Sequence, residues 1–184
     1  INVKAYDKHF AIVTSDPEVR SEDVRITRLE PARTPVTTVP QYRGELVARL
    51  GEMAMNRRLD DKVAKGGTAY QGPRVSLGND SNAIYTAEIS ARANASKWKD
   101  ALEGIALELQ RGRAFGFTAR EIEDSKKQLI SGAERAVETE STTPAQGLIS
   151  RMNGEVTSGE PILSPKQRLD LLNQLLTTIT SEEI

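Results

Sequence analysis

The chain has 184 residues, with 38% hydrophobic and 4% aromatic side chains and a formal net charge of -1. This length suits one domain with an aliphatic core, so we expect residues 1–184 to form a single domain. The balanced charge argues against nucleic-acid binding, and the absence of Cys excludes disulfides, thiolate nucleophiles and Cys-based zinc sites. No apolar stretch approaches the ~20 residues that span a bilayer, so we expect no membrane partner.

The first third of the chain predicts strand and then helix. Residues 10–14 (FAIVT) form a short β-prone run, and Asp23–Leu29 alternates between its two faces closely enough to predict a strand. Beyond three prolines, apolar residues recur at helical spacing, which predicts a helix from Gln41 to Ala64 that ends at Gly66–Gly67. The apolar stripe of this helix consists of Tyr42, Leu46, Val47, Leu50, Met53 and Ala54.

Two β-like runs follow this helix, one from Ala69 to Leu77 and the other from Ala83 to Ala93. The stretch between them, Gly78–Asn82, contains only Gly, Asn, Asp and Ser, which favour tight turns. This order of two runs around a turn predicts a β-hairpin.

The second half of the chain predicts helices. Ser96 is a predicted N-cap, and the residues after it recur on one helical face, so we expect Trp98 to lie in the core. This stripe consists of Trp98, Leu102, Ile105 and Leu109, and further helix starts are predicted at Thr118–Glu121, Thr143–Gln146 and Ser164–Gln167. Helices that follow strands in this way predict an α+β fold, with a mainly antiparallel sheet and helices packed on one face.

Residue patterns for catalysis are almost absent. The only His is His9, so no H-x-x-E-H zinc motif can be assembled, and we expect no catalytic and no metal-binding residue in this chain. We interpret Arg57–Arg58 as cations that interact with the negative C-terminal dipole of the first long helix. The alternative is that these arginines orient a peptide or an adjoining domain.

Both ends of the sequence suggest a piece of a longer polypeptide. Thr180–Glu183 has the form of a helix start, with a Thr cap and a Glu three residues later, yet the sequence stops at Ile184. At the other end, Ile1 opens the chain without Met or a leader. We therefore expect a fragment of a longer multi-domain chain.

A series of short motifs in a fixed order resembles the second domain of the insulinase/pitrilysin family of zinc metallopeptidases, which includes the mitochondrial processing peptidases. The motifs span nearly the whole chain. They are Thr14–Glu18, Tyr42–Val47, Met53–Leu59, Gly116–Ile122, Gly159–Ile162, Leu169–Leu176 and Ile179–Glu183. Each motif alone is modestly specific, whereas their ordered combination is fairly specific.

The resemblance implies a non-catalytic role in proteolysis. In this family the first domain carries H-x-x-E-H and a later Glu, which bind zinc, while the metal-free second domain helps to enclose an unfolded peptide in a chamber. It therefore implies a parent zinc metalloendopeptidase, zinc in the parent only, and a periplasmic location in a Gram-negative bacterium. The implied partners are the preceding catalytic domain, following domains of the same chain or a partner subunit, and unfolded peptide. A catalytically inactive family subunit and an unrelated binding module are the alternatives.

In insulinase-like members, the second domain also holds an exosite, where a sheet edge captures the substrate. By motif order, this edge corresponds to the strand after Gly66–Gly67, from about Tyr70 to Gly78. Unpaired backbone groups of such an edge bind an extended peptide with little dependence on its sequence. The implied peptide-binding residues are Gly72, Val75, Ser76, Leu77 and Gly78. The alternative is an edge that Pro73 protects against pairing, because Pro lacks a backbone donor.

Overall fold

The computed structural model describes residues 8–19, 21–80 and 83–184. Within them lie three strands and five α-helices, which confirms the predicted α+β class. The strands are β1 (Glu22–Pro31), β2 (Tyr70–Asp80) and β3 (Ile84–Ala93). The helices are α1 (Val39–Ala64), α2 (Trp98–Phe115), α3 (Ala119–Glu138), α4 (Ala145–Ser158) and α5 (Pro165–Leu176), and two short 3-10 helices cover Glu140–Thr142 and Ser181–Glu183.

The chain divides into two compact units, and the division falls within α1. The sheet unit comprises Ile1–Arg33 and Met55–Gly116, and the helical unit comprises Thr34–Ala54 and Phe117–Ile184. The expectation that residues 1–184 form a single domain stays a prediction.

The sheet is antiparallel, with the strand order β1-β3-β2. β1 pairs with β3 without interruption from Glu22 opposite Ala93 to Pro31 opposite Ile84. β2 pairs with the other side of β3, with a register shift between Gln71 and Arg74. The predicted antiparallel pairing of β2 and β3 is therefore confirmed, and β2 forms one edge of this sheet. The predicted turn at Gly78–Asn82 is too long, because β2 continues to Asp80, and its residues 81 and 82 lie outside the described residues.

Helix α2 packs against one face of the sheet and buries only part of the stripe that the sequence predicts, with Ile105 buried as expected. Trp98 and Leu109 are each 40% exposed, so the expectation that Trp98 lies in the core is wrong. The buried residues of α2 are Ala101, Ile105 and Glu108. The helix lies close to β2 at Gly104, where an added Cβ would come within 2.8 Å of the Tyr70 ring, whereas Trp98 lies in the first turn of the helix.

Two further expectations about chain segments are wrong. Ser96 has a φ of +59° and does not cap α2, whose N-cap is Lys97 without a side-chain cap bond. Residues 10–14 form no strand, and Phe10, Ile12 and Val13 are exposed. β-prone side chains do not form a strand by themselves, because the backbone also needs the hydrogen bonds of a neighbouring strand.

The core of the helical unit is aliphatic. At the C-terminal end of this unit, the Arg43 guanidinium donates to the Thr178 carbonyl at 2.7 Å and forms an ion pair with Glu183 at 2.8 Å. The core residues come from α1, α3, α5 and the turn after α5: Leu46, Leu50, Ala54, Ile122, Leu172, Leu175, Leu176 and Ile179.

The predicted helix starts are mostly confirmed. Capping boxes form at Thr118–Glu121, Ser164–Gln167 and Thr180–Glu183, the last of them on a short 3-10 helix. The start at Thr143–Gln146 differs, because α4 begins at Ala145 and the N-cap is Pro144, without a side-chain cap bond. The Thr143 hydroxyl instead donates to the Thr139 carbonyl at 3.0 Å.

Candidate peptide-binding edge

The predicted peptide-binding strand is β2, which lies at the edge of the sheet. In an antiparallel ladder, residues alternate between those that exchange backbone hydrogen bonds with the neighbouring strand and those whose backbone groups point away from it. The pairs of β2 with β3 run from Arg74 opposite Ser90 to Asp80 opposite Ile84. The alternation therefore decides which residues of β2 can offer backbone groups to a peptide.

Val75 marks the side of β2 that points away from β3. Its amide donates to Asn56 Oδ1 at 2.7 Å, and its carbonyl oxygen accepts from Asn56 Nδ2 at 2.9 Å. Both backbone groups of Val75 are therefore directed outward, toward α1. Because Val75 lies opposite Ile89, these two residues form a pair without hydrogen bonds to each other.

Because of this alternation, the five predicted binding residues differ in whether their backbone groups point toward β3 or away from it. Ser76 and Gly78 face Glu88 and Thr86 in β3, and their backbone groups belong to the ladder. Leu77 lies on the same side as Val75 and directs its backbone groups outward. Within the part of the chain that the structure describes, no side chain pairs with the Leu77 backbone as Asn56 pairs with Val75. Asn79, which was not predicted, follows Leu77 in the same alternation.

Gly72 lies in the irregular start of β2. It has a φ of +53° and lies within the register shift, where it can adopt a backbone angle that a side chain would disfavour. Pro73 lies in the same irregularity, where its missing N–H removes no regular ladder bond. Nearby, the Thr68 hydroxyl donates to the Tyr70 carbonyl at 2.8 Å. The regular edge of β2 therefore begins after Pro73.

The other end of β2 is held by the chain that leaves β1. The Asn79 side chain accepts from the Arg33 amide at 2.9 Å and donates to the Arg33 carbonyl at 3.2 Å. The Arg33 guanidinium also lies 3.7 Å from the centre of the Tyr85 ring. These contacts use the side chain of Asn79 and fix the position of the edge without using the outward Leu77 backbone.

Asn56 contacts the candidate edge, although the sequence patterns described above do not point to it. It lies within α1, and Asn is an unfavourable residue in a helix interior because its side chain competes for backbone hydrogen bonds. This unfavourable position is a signal that could have drawn attention to it. Its partner Val75 lies 19 residues further along the chain, so no local pattern connects the two.

A buried carboxylate near the start of β2, Glu108, is paired with two partly exposed cations. Glu108 is 3% exposed, and its Oε1 accepts from Lys62 Nζ and, at 2.7 Å, from Arg111 Nη1. Burial acts to raise the pKa of Glu108, but the hydrogen bonds and charges of Lys62 and Arg111 bring it below its usual value. Burial, together with the Glu108 charge, raises the pKa of Tyr70. Lys62 and Arg111 thus keep the buried Glu108 carboxylate charged next to the first residue of β2.

The arginines Arg57 and Arg58 do not lie at the end of α1, which continues to Ala64. The interpretation that they interact with the C-terminal dipole of their own helix is therefore wrong. Arg58 instead donates to the Gly116 carbonyl at 3.2 Å, just after the last residue of α2. It satisfies a carbonyl oxygen at the end of a neighbouring helix.

Among the described residues, no three His, Cys, Asp or Glu side chains are grouped so that they could hold a metal ion. His9, the only His in the sequence, is exposed. Over the same residues, no helix is both long enough and apolar enough to cross a bilayer.

Comparison with known proteins relates the chain to proteases. No family model matches it. It is 23% identical over 149 residues to the probable zinc protease PqqL of Escherichia coli, a match that covers 79% of this chain and 15% of PqqL. The matched part of the chain thus spans about a seventh of the length of that relative.

Solved structures show the same fold. The periplasmic protease PqqL from Escherichia coli matches with a TM-score of 0.83 and 20% identity, over 91% of this chain and 19% of that chain. A predicted insulinase family protease from Yersinia pestis matches with a TM-score of 0.76 and 16% identity, over 90% of this chain and 36% of that chain. The chain is therefore related in sequence to part of a zinc protease and has the fold of a domain of insulinase-family proteases.

Proposed function

We propose that this chain is a non-catalytic, substrate-enclosing domain of a zinc-dependent metalloendopeptidase that hydrolyses unfolded peptides in a closed chamber. The observation that carries this proposal is the match to PqqL, in fold over 91% of the chain and in sequence over 79% of it. Zinc belongs, in this proposal, to a preceding catalytic domain. Following domains of the same polypeptide or a partner subunit complete the chamber.

The β2 edge supports a part for this chain in holding substrate. Leu77 and Asn79 direct backbone groups away from β3, and an extended peptide can pair with such groups whatever its side chains are. The β1 edge at the opposite side of the sheet is a poorer candidate. Its outward positions include the charged residues Asp23 and Arg25, which oppose pairing with another strand.

The likeness to a periplasmic protease also supports a periplasmic location for the parent protein. The alternative function is a domain of a catalytically inactive family subunit that binds substrate or serves as a scaffold. The two functions use the same β2 edge and differ only in whether the complete parent protein contains zinc and cleaves peptide.

Hydrolysis and binding of a fluorescent unfolded peptide test the proposal, first with the 184-residue chain and then with its complete parent protein. We expect the chain to bind peptide without cleaving it, even with added zinc, and the parent to cleave it until a chelator removes the metal. A parent that binds peptide but has neither zinc nor activity supports the inactive subunit. Cleavage by the chain alone contradicts both.

Proline substitutions identify the edge that binds. Leu77→Pro removes an outward amide from β2, and Leu29→Pro is the matched change on β1, where Leu29 also lies at an outward position. We expect peptide binding to weaken in the Leu77 variant and to stay unchanged in the Leu29 variant. The opposite result would place the peptide on β1.

A further inference from the structure

The Asn56 carboxamide takes the place of a neighbouring strand at one residue of the β2 edge. It supplies one acceptor and one donor to the same residue, Val75, with bond lengths of 2.7 and 2.9 Å. A paired strand would supply the same two groups. In the structure, the outward backbone of Val75 is thus already satisfied, and the next outward residue along β2 is Leu77.

The position of Asn56 is fixed by the packing of the helix that carries it. Its neighbour Met55 is buried against α2, where a Cβ at Gly112 would overlap with Met55 Cε. One turn further along α1, Leu59 is fully buried. Met55 and Leu59 thus anchor this part of α1 in the sheet unit. Asn56 cannot move away from β2 with the helix unless these buried side chains lose their contacts.

Displacing Asn56 would also leave polar groups unsatisfied. Its side chain is half-buried, and a peptide that took over Val75 would have to leave the Asn56 carboxamide without these two partners. The loss of both partners for this half-buried carboxamide opposes such an exchange. Pairing with Leu77 and Asn79 requires no displacement of this kind.

We propose that Asn56 determines the register of the bound peptide, an inference that rests on the proposed function of the β2 edge. The peptide pairs with Leu77 and Asn79 and stops before Val75, so that up to about four backbone hydrogen bonds hold it. Asn56 thereby limits the edge to a short segment of substrate. The recognised partner is any extended, proline-free peptide segment that reaches this end of β2.

Amide hydrogen exchange and NMR of the 184-residue chain test this inference, with an extended peptide of Thr, Val and Lys as the probe. Without peptide, we expect the Val75 amide to be protected. Addition of peptide should protect the Leu77 and Asn79 amides and leave the resonances of the Asn56 side-chain amide at their positions. A large shift of those resonances on binding would show that peptide displaces Asn56 and would overturn the inference.

Asn56→Ala provides the second measurement. In this variant we expect the Val75 amide to exchange freely without peptide and to be protected when peptide is bound. Peptide affinity should rise about five-fold or more, because the peptide can then pair with Val75 as well as with Leu77 and Asn79. Asn94→Ala is the matched control, since Asn94 Nδ2 donates to the Thr68 carbonyl away from the outward Leu77 position. It should leave affinity unchanged. If Asn56→Ala does not fold, the measurement on the unchanged chain still decides.

The outcomes separate this inference from the proposed function. If peptide protects none of the β2 amides, the proposed function of this edge fails, and the inference fails with it. A second outcome is that peptide protects the Leu77 and Asn79 amides, but Asn56→Ala binds it with the same affinity and through the same β2 residues as the unchanged chain. The edge then binds peptide, and only the role of Asn56 is overturned.

Discussion

The ring of Tyr70 packs directly against Gly104 of α2, so that a Cβ added at Gly104 would lie 2.8 Å from Tyr70 Cε1. Tyr70 is 2% exposed, and it is the first residue of β2. The absence of a side chain at Gly104 therefore sets how closely α2 approaches the strand that carries the candidate binding edge.

We expect Gly104→Ala to lower the free energy of unfolding by about 1–3 kcal/mol, because the added methyl group overpacks the contact with Tyr70. This loss should exceed the gain of ~1 kcal/mol that Ala has over Gly in a helix. Gly132→Ala in α3 is the matched control, since a Cβ there meets nothing within 4 Å. Urea unfolding should show the control to be as stable as the original chain or more stable.

The orientation of α2 predicts a difference between two of its aliphatic residues. Ile105 is fully buried, whereas Leu109 is 40% exposed. We expect Ile105→Ala to lower the free energy of unfolding by about 2–5 kcal/mol and Leu109→Ala by less than about 1 kcal/mol. Equal losses in urea unfolding would show that α2 is rotated relative to the structure.

Tyr70→Phe should not destabilise the protein. The Tyr70 hydroxyl is buried and has no hydrogen-bond partner among the described residues, so its removal leaves no group unsatisfied. We expect the free energy of unfolding to stay the same or to rise by up to about 1 kcal/mol. Tyr42→Phe is the comparison, because burial raises the pKa of the Tyr42 hydroxyl while the positive charge of Arg168 acts to lower it, and loss of this interaction with Arg168 should be destabilising. Thermal unfolding of the two variants distinguishes these cases.

The stability of the sheet unit should fall in acid because of Glu108. Its pKa is lower in the folded chain than its usual value of 4.5, so the carboxylate stabilises the fold at pH values above 4.5. This contribution is lost as the pH falls through the lowered pKa and the carboxyl group becomes protonated.

Glu108→Gln isolates that contribution. We expect the variant to be less stable than the original chain at pH 7, because Lys62 and Arg111 lose their charged partner. The difference between the two proteins should shrink as the pH is lowered. Urea midpoints measured from pH 7 into the acid range provide the check, and a difference independent of pH would contradict this account of Glu108.

The sequence predicts those parts of the fold that depend on residues close to one another along the chain. The capping boxes at Thr118–Glu121 and Ser164–Gln167 form as expected, because both partners lie within one helical turn. The predicted face of α2 is correct at Ile105 and wrong at Trp98, since apolar spacing favours Trp98 and gives no weight to Gly104. Spacing reports which residues share a face but not how closely another element approaches it.

The candidate site was predicted only in outline. Motif order located β2, but the division of its residues into inward and outward positions depends on the pairing with β3 and could not be read from β2 alone. The role of Asn56 depends on a contact with Val75 between two different elements. Such a contact becomes visible only when the backbone of both elements is in place.

The double hydrogen bond between Asn79 and the Arg33 backbone has a consequence for local unfolding. It attaches the segment that follows β1 to the C-terminal end of β2, next to the first residues of β3. Strands normally fray from their ends, where few contacts hold the backbone. Here β2 is held near that end, so its opening should start from the irregular segment at Gly72 and move toward Asn79.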